Sequence, residues 1–203
     1  MAWGFLFCIS RRGMRLEPAS RKAVKYACET FHYAKVVPAA SVSFSVFEGK
    51  QWCGVICFGG GASAFMGKPY GLTHGQYLEL VRVALNGKQS STSKAVAIAI
   101  RLIKKKCPLV RLLISYADKG QKHFGTIYQA TNWFFVEETE SSGKDVFYKG
   151  KWGHDRVPNT LPKAMREKLP TRKRPGKRKY LYPLTKEMSI LCEERRKPYP
   201  KSA

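Results

Sequence analysis

Acidic residues are scarce in this chain. Its 203 residues hold 14 Asp and Glu against 37 Lys and Arg, which gives a formal net charge of +23 and a pI near 10.0. So large a positive surplus repels itself and attracts polyanions, which disfavours a merely solubilising role and makes nucleic acid the expected partner. The chain has neither an apolar run of membrane-spanning length nor a recognisable secretory signal. We therefore expect a cytoplasmic protein with no membrane partner.

Metal-binding motifs are also missing. The six cysteines are scattered among apolar neighbours, at positions Cys8, Cys28, Cys53, Cys57, Cys107 and Cys192. The C-x3-C pair lies within WCGVICF, which is typical of a strand rather than of a zinc knuckle, so we interpret its members as small core residues. His32, Asp118 and another histidine are the residues that could converge on a metal such as iron, but no HxH or HExxH spacing supports one.

The composition is that of a packed domain. Hydrophobic residues make up 44% and aromatic residues 12% of the chain, and the length suits one substantial α/β domain without internal repeats. Proline and basic residues dominate from Lys151 onward. We therefore predict a catalytic core over residues 1–150 and a basic, proline-rich extension over 151–203, which adds a last strand (RKYLYPL) and contacts nucleic acid.

Hydrophobic periodicity predicts alternating helices and strands. The expected elements are a helix from Pro18 to about Tyr33, a hairpin in SVSFSVFEGKQWCGVICFGGG, a long loop from Gly59 to Gln76, a strand from Tyr77 to Leu85, a helix from Ser90 to Lys106, and strands in WFFVEE and DVFYKG joined by a turn at 141–144. Glu79 is a charge inside an apolar strand and needs a partner, for which Arg82 and Arg101 are the choices.

Function should concentrate between Leu109 and Trp133. There an apolar strand ends at the polar string Ser115-Tyr116-Ala117-Asp118, and a helix with further polar residues follows. Polar side chains at a strand's end commonly form sites. Asp118 has two interpretations of equal weight, a helix cap and a catalytic group.

Several strings resemble the Mom family of phage DNA-modification proteins. They are FHYAKVVP, GVICFGGGAS, YLELVRVAL, ISYADKGQKHFGTIYQATNWFF and KRKYLYPL, and the resemblance spans about Phe31 to Pro183. The most specific part is SYAD followed by G and YQATNW. The resemblance implies a fold like that of GNAT acetyltransferases, with a mixed, mostly antiparallel central sheet flanked by helices.

The resemblance also implies an activity. Members convert adenine N6 in double-stranded DNA to a methylcarbamoyl (acetamido) form, which protects phage DNA from host restriction enzymes, so the expected setting is the cytoplasm of the bacterial host. An adenine inside a duplex is inaccessible, and we expect the base to be flipped into a pocket.

The donor is where this chain departs from GNAT enzymes. Those that use coenzyme A hold its pyrophosphate in a Q/R-x-x-G-x-G/A loop, and this chain has GKQSSTSKA there, which disfavours acetyl-CoA. A helix start rich in hydroxyl and lysine side chains still suits a phosphate, although an ordinary capped helix explains it as well. We assign donor binding to Lys88, Ser90, Ser91, Thr92 and Lys94. Glycyl-tRNA is the donor that we favour, which makes tRNA a second partner.

The remaining candidates are assigned by chemistry. Asp118 is expected to accept or orient the N6 proton, His32 to act as acid or base, and Tyr33 to donate to an oxyanion. Ser115 and Tyr128 are assigned to the donor's leaving oxygen, whereas His123 is expected to be solvated. Base and DNA contacts are predicted for Tyr116, Asn132, Trp133, Arg172, Lys173, Arg174, Lys177, Arg178 and Lys179.

A non-catalytic DNA- or RNA-binding protein is the alternative. The charge suits it equally well, with tyrosines stacking on bases and lysines neutralising phosphates. The apolar strand that ends in SYAD favours an enzyme scaffold, because a binding module more often places its aromatic and basic residues on an exposed face. The oligomeric state is not predicted.

Overall fold

A computed structural model describes residues 13–141, 143–154 and 161–201. The predicted apolar start, with Cys8, and Ser142 of the predicted turn lie outside the described residues. In chain order the elements are β1 (Met14–Pro18), α1 (Arg21–Phe31), β2 (Val42–Glu48), β3 (Gln51–Gly59), β4 (Tyr77–Leu85), α2 (Thr92–Lys106), β5 (Leu112–Asp118), α3 (Thr126–Gln129), β6 (Phe134–Thr139), β7 (Lys144–Tyr148), β8 (Lys151–His154), α4 (Lys163–Glu167), β9 (Thr171–Lys173), β10 (Lys177–Pro183) and α5 (Lys186–Glu194).

Seven strands form the main sheet in the order β1-β2-β3-β4-β5-β10-β6. Every neighbouring pair is antiparallel except β4 and β5, which are joined through α2 and run parallel. Helices cover the sheet, with α2 packing on one face and α1 on the other. The predicted mixed, mostly antiparallel α/β fold is therefore confirmed.

The two long helices begin at hydroxyl caps, a feature that was predicted for α2. The Ser20 hydroxyl accepts a hydrogen bond from the Ala23 amide, and the Ser91 hydroxyl accepts one from Lys94. Cys53 and Cys57 on β3 are fully buried, which confirms their assignment to the core.

The pairing of β4 with β5 is short and covers only part of each strand. It runs only from Tyr77 opposite Leu112 to Glu79 opposite Ile114, although β4 continues to Leu85 and β5 to Asp118. A bulge at Val81 bends β4 immediately after the last pair. The two strands therefore separate beyond Glu79 and Ile114, and we call the region between their separated ends the cleft.

Residues after Lys151 complete the core. β10 lies between β5 and β6, and its Tyr180 and Leu181 are fully buried. The predicted last strand is thus an interior strand of the main sheet. A second sheet has the order β8-β7-β9. The patterns did not reveal β1, β8, β9, α4 or α5.

The helix expected between Asp118 and Asn132 is much shorter. A 3-10 turn covers Lys119–Gln121, and α3 covers only Thr126–Gln129. Gly125 interrupts the segment with a φ of +74°, and a Cβ at this position would lie 2.4 Å from the Tyr180 ring. The close approach of β10 therefore decides where the helix starts.

Candidate active site

Asp118 ends β5 and meets Tyr33 from the segment that follows α1. The Tyr33 hydroxyl donates to Asp118 Oδ2 at 3.2 Å, while Asp118 Oδ1 accepts from the Gly120 amide at 2.8 Å. The capping interpretation of Asp118 is therefore confirmed on one oxygen, and the other oxygen is bound to Tyr33. The cap fixes the carboxylate and leaves its other oxygen for the site.

His32 is held beside Tyr33 by the Arg82 guanidinium. Arg82 Nη1 lies 2.7 Å from His32 Nδ1, which also accepts from the Ala34 amide at 3.1 Å, and the His32 and Tyr33 rings are 4.3 Å apart. Burial, followed by the positive charge of Arg82, lowers the pKa of His32 to about 4. His32 is therefore neutral at pH 7, and the Nδ1 atom already accepts hydrogen bonds. It is suited to positioning Tyr33 and poorly suited to the expected role of general base.

Tyr33 remains protonated over the physiological range. Burial and the adjacent Asp118 carboxylate raise the pKa of Tyr33 to about 12. The exposed ring of His123 lies edge-on to Tyr33, with the centroids 5.8 Å apart. His123 thus borders the site, although its position in a polar turn gave no such signal.

Ser115 and Tyr128 form a buried pair behind the cleft. The Ser115 hydroxyl is hydrogen-bonded to the Tyr128 hydroxyl at 2.8 Å and to the Leu80 carbonyl at 2.9 Å. Leu80 is the first residue of β4 beyond the backbone pairing with β5. The Ser115 hydroxyl therefore donates to a β4 carbonyl that lies outside this pairing. Burial raises the pKa of Tyr128 to about 12.

Glu79 lies at the point where β4 and β5 part. Burial raises the pKa of Glu79. Three smaller effects lower this pKa, namely the positive charge of Lys177, a hydrogen bond from the Ala62 amide and the positive charge of Arg82. Arg82 was an expected partner and Lys177 was not. The other choice, Arg101, is exposed on α2. The Ala62 contact also places the long loop predicted from Gly59 to Gln76 against the site.

Tyr116 lies on the same face of β5 as Asp118, because alternate strand residues share a face. Its ring is half-buried, and Lys177 Nζ lies 5.7 Å from the ring centroid. Burial raises the pKa of Tyr116 to about 12. Tyr116 and Lys177 are therefore near the cleft, as expected of base and DNA contacts.

Two predicted base contacts are placed elsewhere. Trp133 is 0% exposed and packs against Tyr128 and Tyr182, so it belongs to the core and has no surface on which a base could stack. Asn132 is exposed in a left-handed turn with a φ of 61° after α3. The burial of Trp133 contradicts its assignment as a base contact, and the exposed Asn132 remains a predicted contact.

The start of α2, predicted to bind the donor, is partly satisfied by the protein itself. Glu48 Oε2 accepts from the Ser90 amide at 3.0 Å and from its hydroxyl at 2.8 Å. Ser91 caps the helix, and the Thr92 hydroxyl accepts from Gln89 Nε2 at 2.9 Å. Lys88 is exposed and Lys94 is half-buried. A carboxylate at this position repels a pyrophosphate, so the residues present do not fit coenzyme A.

The predicted basic cluster divides into part-buried and exposed members. Arg174 binds Asp145 at 2.8 Å, Arg178 binds Glu138 at 2.9 Å and Lys179 binds Glu137 at 3.0 Å. Arg172 and Lys173 also form ion pairs, with Asp145 at 3.8 Å and Glu140 at 3.4 Å, but keep 50% and 72% of their side chains exposed, and Lys177 is exposed as well. The part-buried side chains hold strands together, and the exposed ones are accessible to a phosphate.

Within the described ranges, no three histidine, cysteine or acidic side chains converge as metal ligands would. None of the helices described is long and apolar enough to cross a bilayer.

The family follows from a match along nearly the whole chain. The model of the Mom protein family matches residues 13–201. The chain belongs to the Mom protein family. The methylcarbamoylase Mom of Escherichia phage Mu is 28% identical to this family member over 158 residues, which cover 74% of this chain and 64% of that relative. The chain thus spans less than two thirds of the length of the curated relative that it matches.

Solved structures show that this Mom family member has the GNAT fold. A GNAT-family acetyltransferase from Bacillus anthracis has a TM-score of 0.52 at 10% identity and covers 88% of this chain and 99% of its own. An acetyltransferase from Salmonella typhimurium, solved with acetyl-CoA, has a TM-score of 0.51 at 10% identity and covers 86% and 95%. Spermidine/spermine N-acetyltransferase from Vibrio cholerae has a TM-score of 0.51 at 7% identity, with 88% and 96% covered. Sequence identities as low as these support a shared fold and nothing beyond it.

Proposed function

We propose that this protein is a phage DNA-modification enzyme that converts adenine N6 in double-stranded DNA to the methylcarbamoyl form, and so protects phage DNA from host restriction. Membership of the Mom family, the methylcarbamoylase relative and the GNAT fold support the proposal. The net charge of +23 supports a polyanionic substrate. The reaction is acyl or aminoacyl transfer to a flipped base.

The Tyr33–Asp118 hydrogen bond is the observation that carries the proposal. A phenol that stays protonated beside a fixed carboxylate makes a proton relay. As N6 attacks the acyl carbon, its proton passes to the Tyr33 oxygen, and the Tyr33 proton passes to Asp118 Oδ2. The relay removes the charge that would otherwise build up on N6, and such general-base assistance contributes typically about 10²–10⁴-fold.

The other groups of the site position these reactants. Neutral His32 packs against Tyr33, and Arg82 holds His32 in place. Ser115 donates its one proton to the Leu80 carbonyl and accepts from the Tyr128 hydroxyl, and this pair holds Tyr128 in place beside the leaving oxygen. Tyr116 and Lys177 contact the flipped base and its phosphate.

An aminoacyl ester on tRNA is the proposed donor, because the start of α2 does not fit coenzyme A. Transfer of a glycyl group to N6 gives a glycyl amide and releases the tRNA hydroxyl. The free glycyl amine then attacks ring carbon C6 through a five-membered intermediate, and the original C6–N6 bond breaks. The product carries N6–CH2–C(=O)NH2, and no oxidant or reductant is needed.

The activity is tested by mass spectrometry of nucleosides from cells that express the wild type or Asp118→Asn. The expected result is a new adenosine derivative with the wild type and a greatly reduced amount with the variant. If the wild type produces no new nucleoside, the protein is a basic nucleic-acid-binding protein instead.

The donor is tested separately, with isotopically labelled glycine, tRNA, glycyl-tRNA synthetase and DNA. The proposed route places the label in the modified nucleoside. Modified adenosine without the label would rule out the glycyl route and leave the modification itself standing.

A further inference from the structure

The small sheet β8-β7-β9 exposes an aromatic and cationic face. Phe147 and Trp152 are directly opposed partners on β7 and β8, each 38% exposed, with ring centroids 5.4 Å apart. The Arg172 guanidinium lies 4.5 Å from the centroid of the Trp152 ring. Asp145, two residues before Phe147 and opposite Arg172, lies on the same face. We call these four residues the ribbon face.

Contacts of the Asp145 carboxylate hold the ribbon face in place. Asp145 accepts a hydrogen bond from Arg174 Nε at 2.8 Å and lies 3.8 Å from Arg172 Nε, and its side chain is only 14% exposed. Arg174 also donates to the Lys144 carbonyl. These contacts offset the acidic charge and hold β9 against β7. Phe147 and Trp152 are therefore presented on a supported surface.

The chemistry of the ribbon face matches an unpaired nucleotide strand. Aromatic rings stack on bases of any sequence, and a guanidinium plane above a ring extends such a stack. Lys144 and Lys173, opposed on β7 and β9, are both exposed and lie on the other face of this small sheet, where they add to its positive charge. A protein partner would explain the aromatic pair but not the guanidinium of Arg172 stacked on Trp152.

The position of the small sheet indicates which part of the DNA would reach the ribbon face. β6 ends at Thr139 shortly before β7 begins, and β9 ends shortly before Lys177 starts β10. Lys177 pairs with both Thr139 and Asp118. The ribbon therefore extends from the same end of the main sheet that holds Asp118. A duplex opened at the site would present its unpaired bases near this surface.

We infer that the ribbon face binds unpaired bases of the opened DNA substrate by stacking on Phe147, Trp152 and Arg172. This inference rests on the proposed DNA substrate and adds a second contact, separate from the base pocket.

The test is a binding measurement without donor, on a duplex with a three-nucleotide bubble and on a perfect duplex of equal length. Phe147→Leu/Trp152→Leu keeps apolar bulk in the sheet but removes the aromatic faces. We expect it to weaken binding to the bubble by about tenfold. Binding to the perfect duplex should change by less than about twofold, and the salt dependence should stay the same because stacking neutralises no phosphate. Trp152→Phe retains a ring and should keep most of the affinity for the bubble.

Tyr26→Phe/Ile190→Ala alters exposed side chains elsewhere and is the matched control, which should bind like the wild type. Three results for the double leucine variant would overturn the inference. They are an equal loss of affinity for both duplexes, no loss of affinity for either, and a loss of affinity seen only with a single-stranded RNA probe. If the double leucine variant binds the bubble like the wild type but elutes at a different volume in gel filtration, the ribbon face is a protein interface instead. Failure of adenine modification in cells leaves this result unaffected, because the binding measurement requires no chemistry.

Discussion

Tyr33 and Asp118 are 85 residues apart in the chain, and the Tyr33 hydroxyl donates to Asp118 Oδ2 at 3.2 Å. The contact joins the end of α1 to the end of β5. Asp118 is held independently by the Gly120 amide, so Tyr33 is the partner whose removal changes the chemistry without releasing the carboxylate.

Tyr33→Phe should lower adenine modification by about 10²–10⁴-fold, because the relay loses its hydroxyl. Asp118→Asn should have a similar effect, and its amide oxygen can still accept from Gly120. The yield of modified nucleoside per unit of folded protein is the measurement. Tyr26→Phe removes an exposed hydroxyl from α1 and should leave the yield unchanged. A fully active Tyr33→Phe would exclude the relay.

The lowered pKa of His32 makes stability depend on pH. The unfolded chain takes up this proton near pH 6.5, and the folded protein does so only near pH 4. The unfolded state therefore binds more protons between these values, and stability falls as the pH drops from about 6.5 to about 4. Denaturant unfolding across this window should show a smaller fall for His32→Asn than for the wild type.

Arg82→Gln provides an independent check on His32. Removing the guanidinium charge should raise the pKa of His32 only part of the way, because burial is the larger cause and persists. NMR titration of the imidazole measures the shift. His74→Asn removes an exposed histidine from a loop and is the control for the unfolding experiment. An imidazole that titrates near pH 6.5 in the wild type would contradict the assignment.

Ser115→Ala should destabilise the protein by roughly 1–3 kcal/mol, because the buried Leu80 carbonyl and Tyr128 hydroxyl both lose a partner. Tyr128→Phe in the same background should cost less than it does alone, since the two hydroxyls share one hydrogen bond. Chemical unfolding of the four proteins completes the cycle. Ser189→Ala removes an exposed hydroxyl on α5 and should stay within about 0.5 kcal/mol of the wild type. Additive effects would show that the pair is not coupled.

The basic residues should separate into two classes in a salt titration of DNA binding. Arg172→Gln/Lys173→Gln should flatten the log–log slope by about two units, because both side chains are exposed. Arg178→Gln/Lys179→Gln should lower the unfolding midpoint and leave the slope nearly unchanged. The side chains of Arg178 and Lys179 are each only 12% exposed and are bound to Glu138 and Glu137. Equal slopes for the two variants would mean that burial of the side chain does not decide which residues contact phosphate.

Local patterns were sufficient for the elements whose periodicity is strong. The strand over Tyr77–Leu85 has the predicted bounds, and α1 and α2 fall within a few residues of theirs, because caps and apolar spacing act over short distances. The SYAD string was recognisable because polar side chains follow a buried strand. The short strand β9 and the helix α5 carry weak patterns and were missed.

The arrangement of the site depended on contacts between distant segments. Arg82 was visible as a charge in an apolar strand, but its pairing with His32 requires α1 to pack across β4. Trp133 was predicted as a base contact, but α3 is short, Tyr180 lies close against Gly125 before it, and the indole is buried in the core. The sequence alone thus determined the elements with strong periodicity, such as α1, α2 and β4, together with the positive charge and the family resemblance. Only the tertiary structure decided which polar groups share the cleft, because the register of β10 and the parting of β4 from β5 are set by packing across the whole sheet.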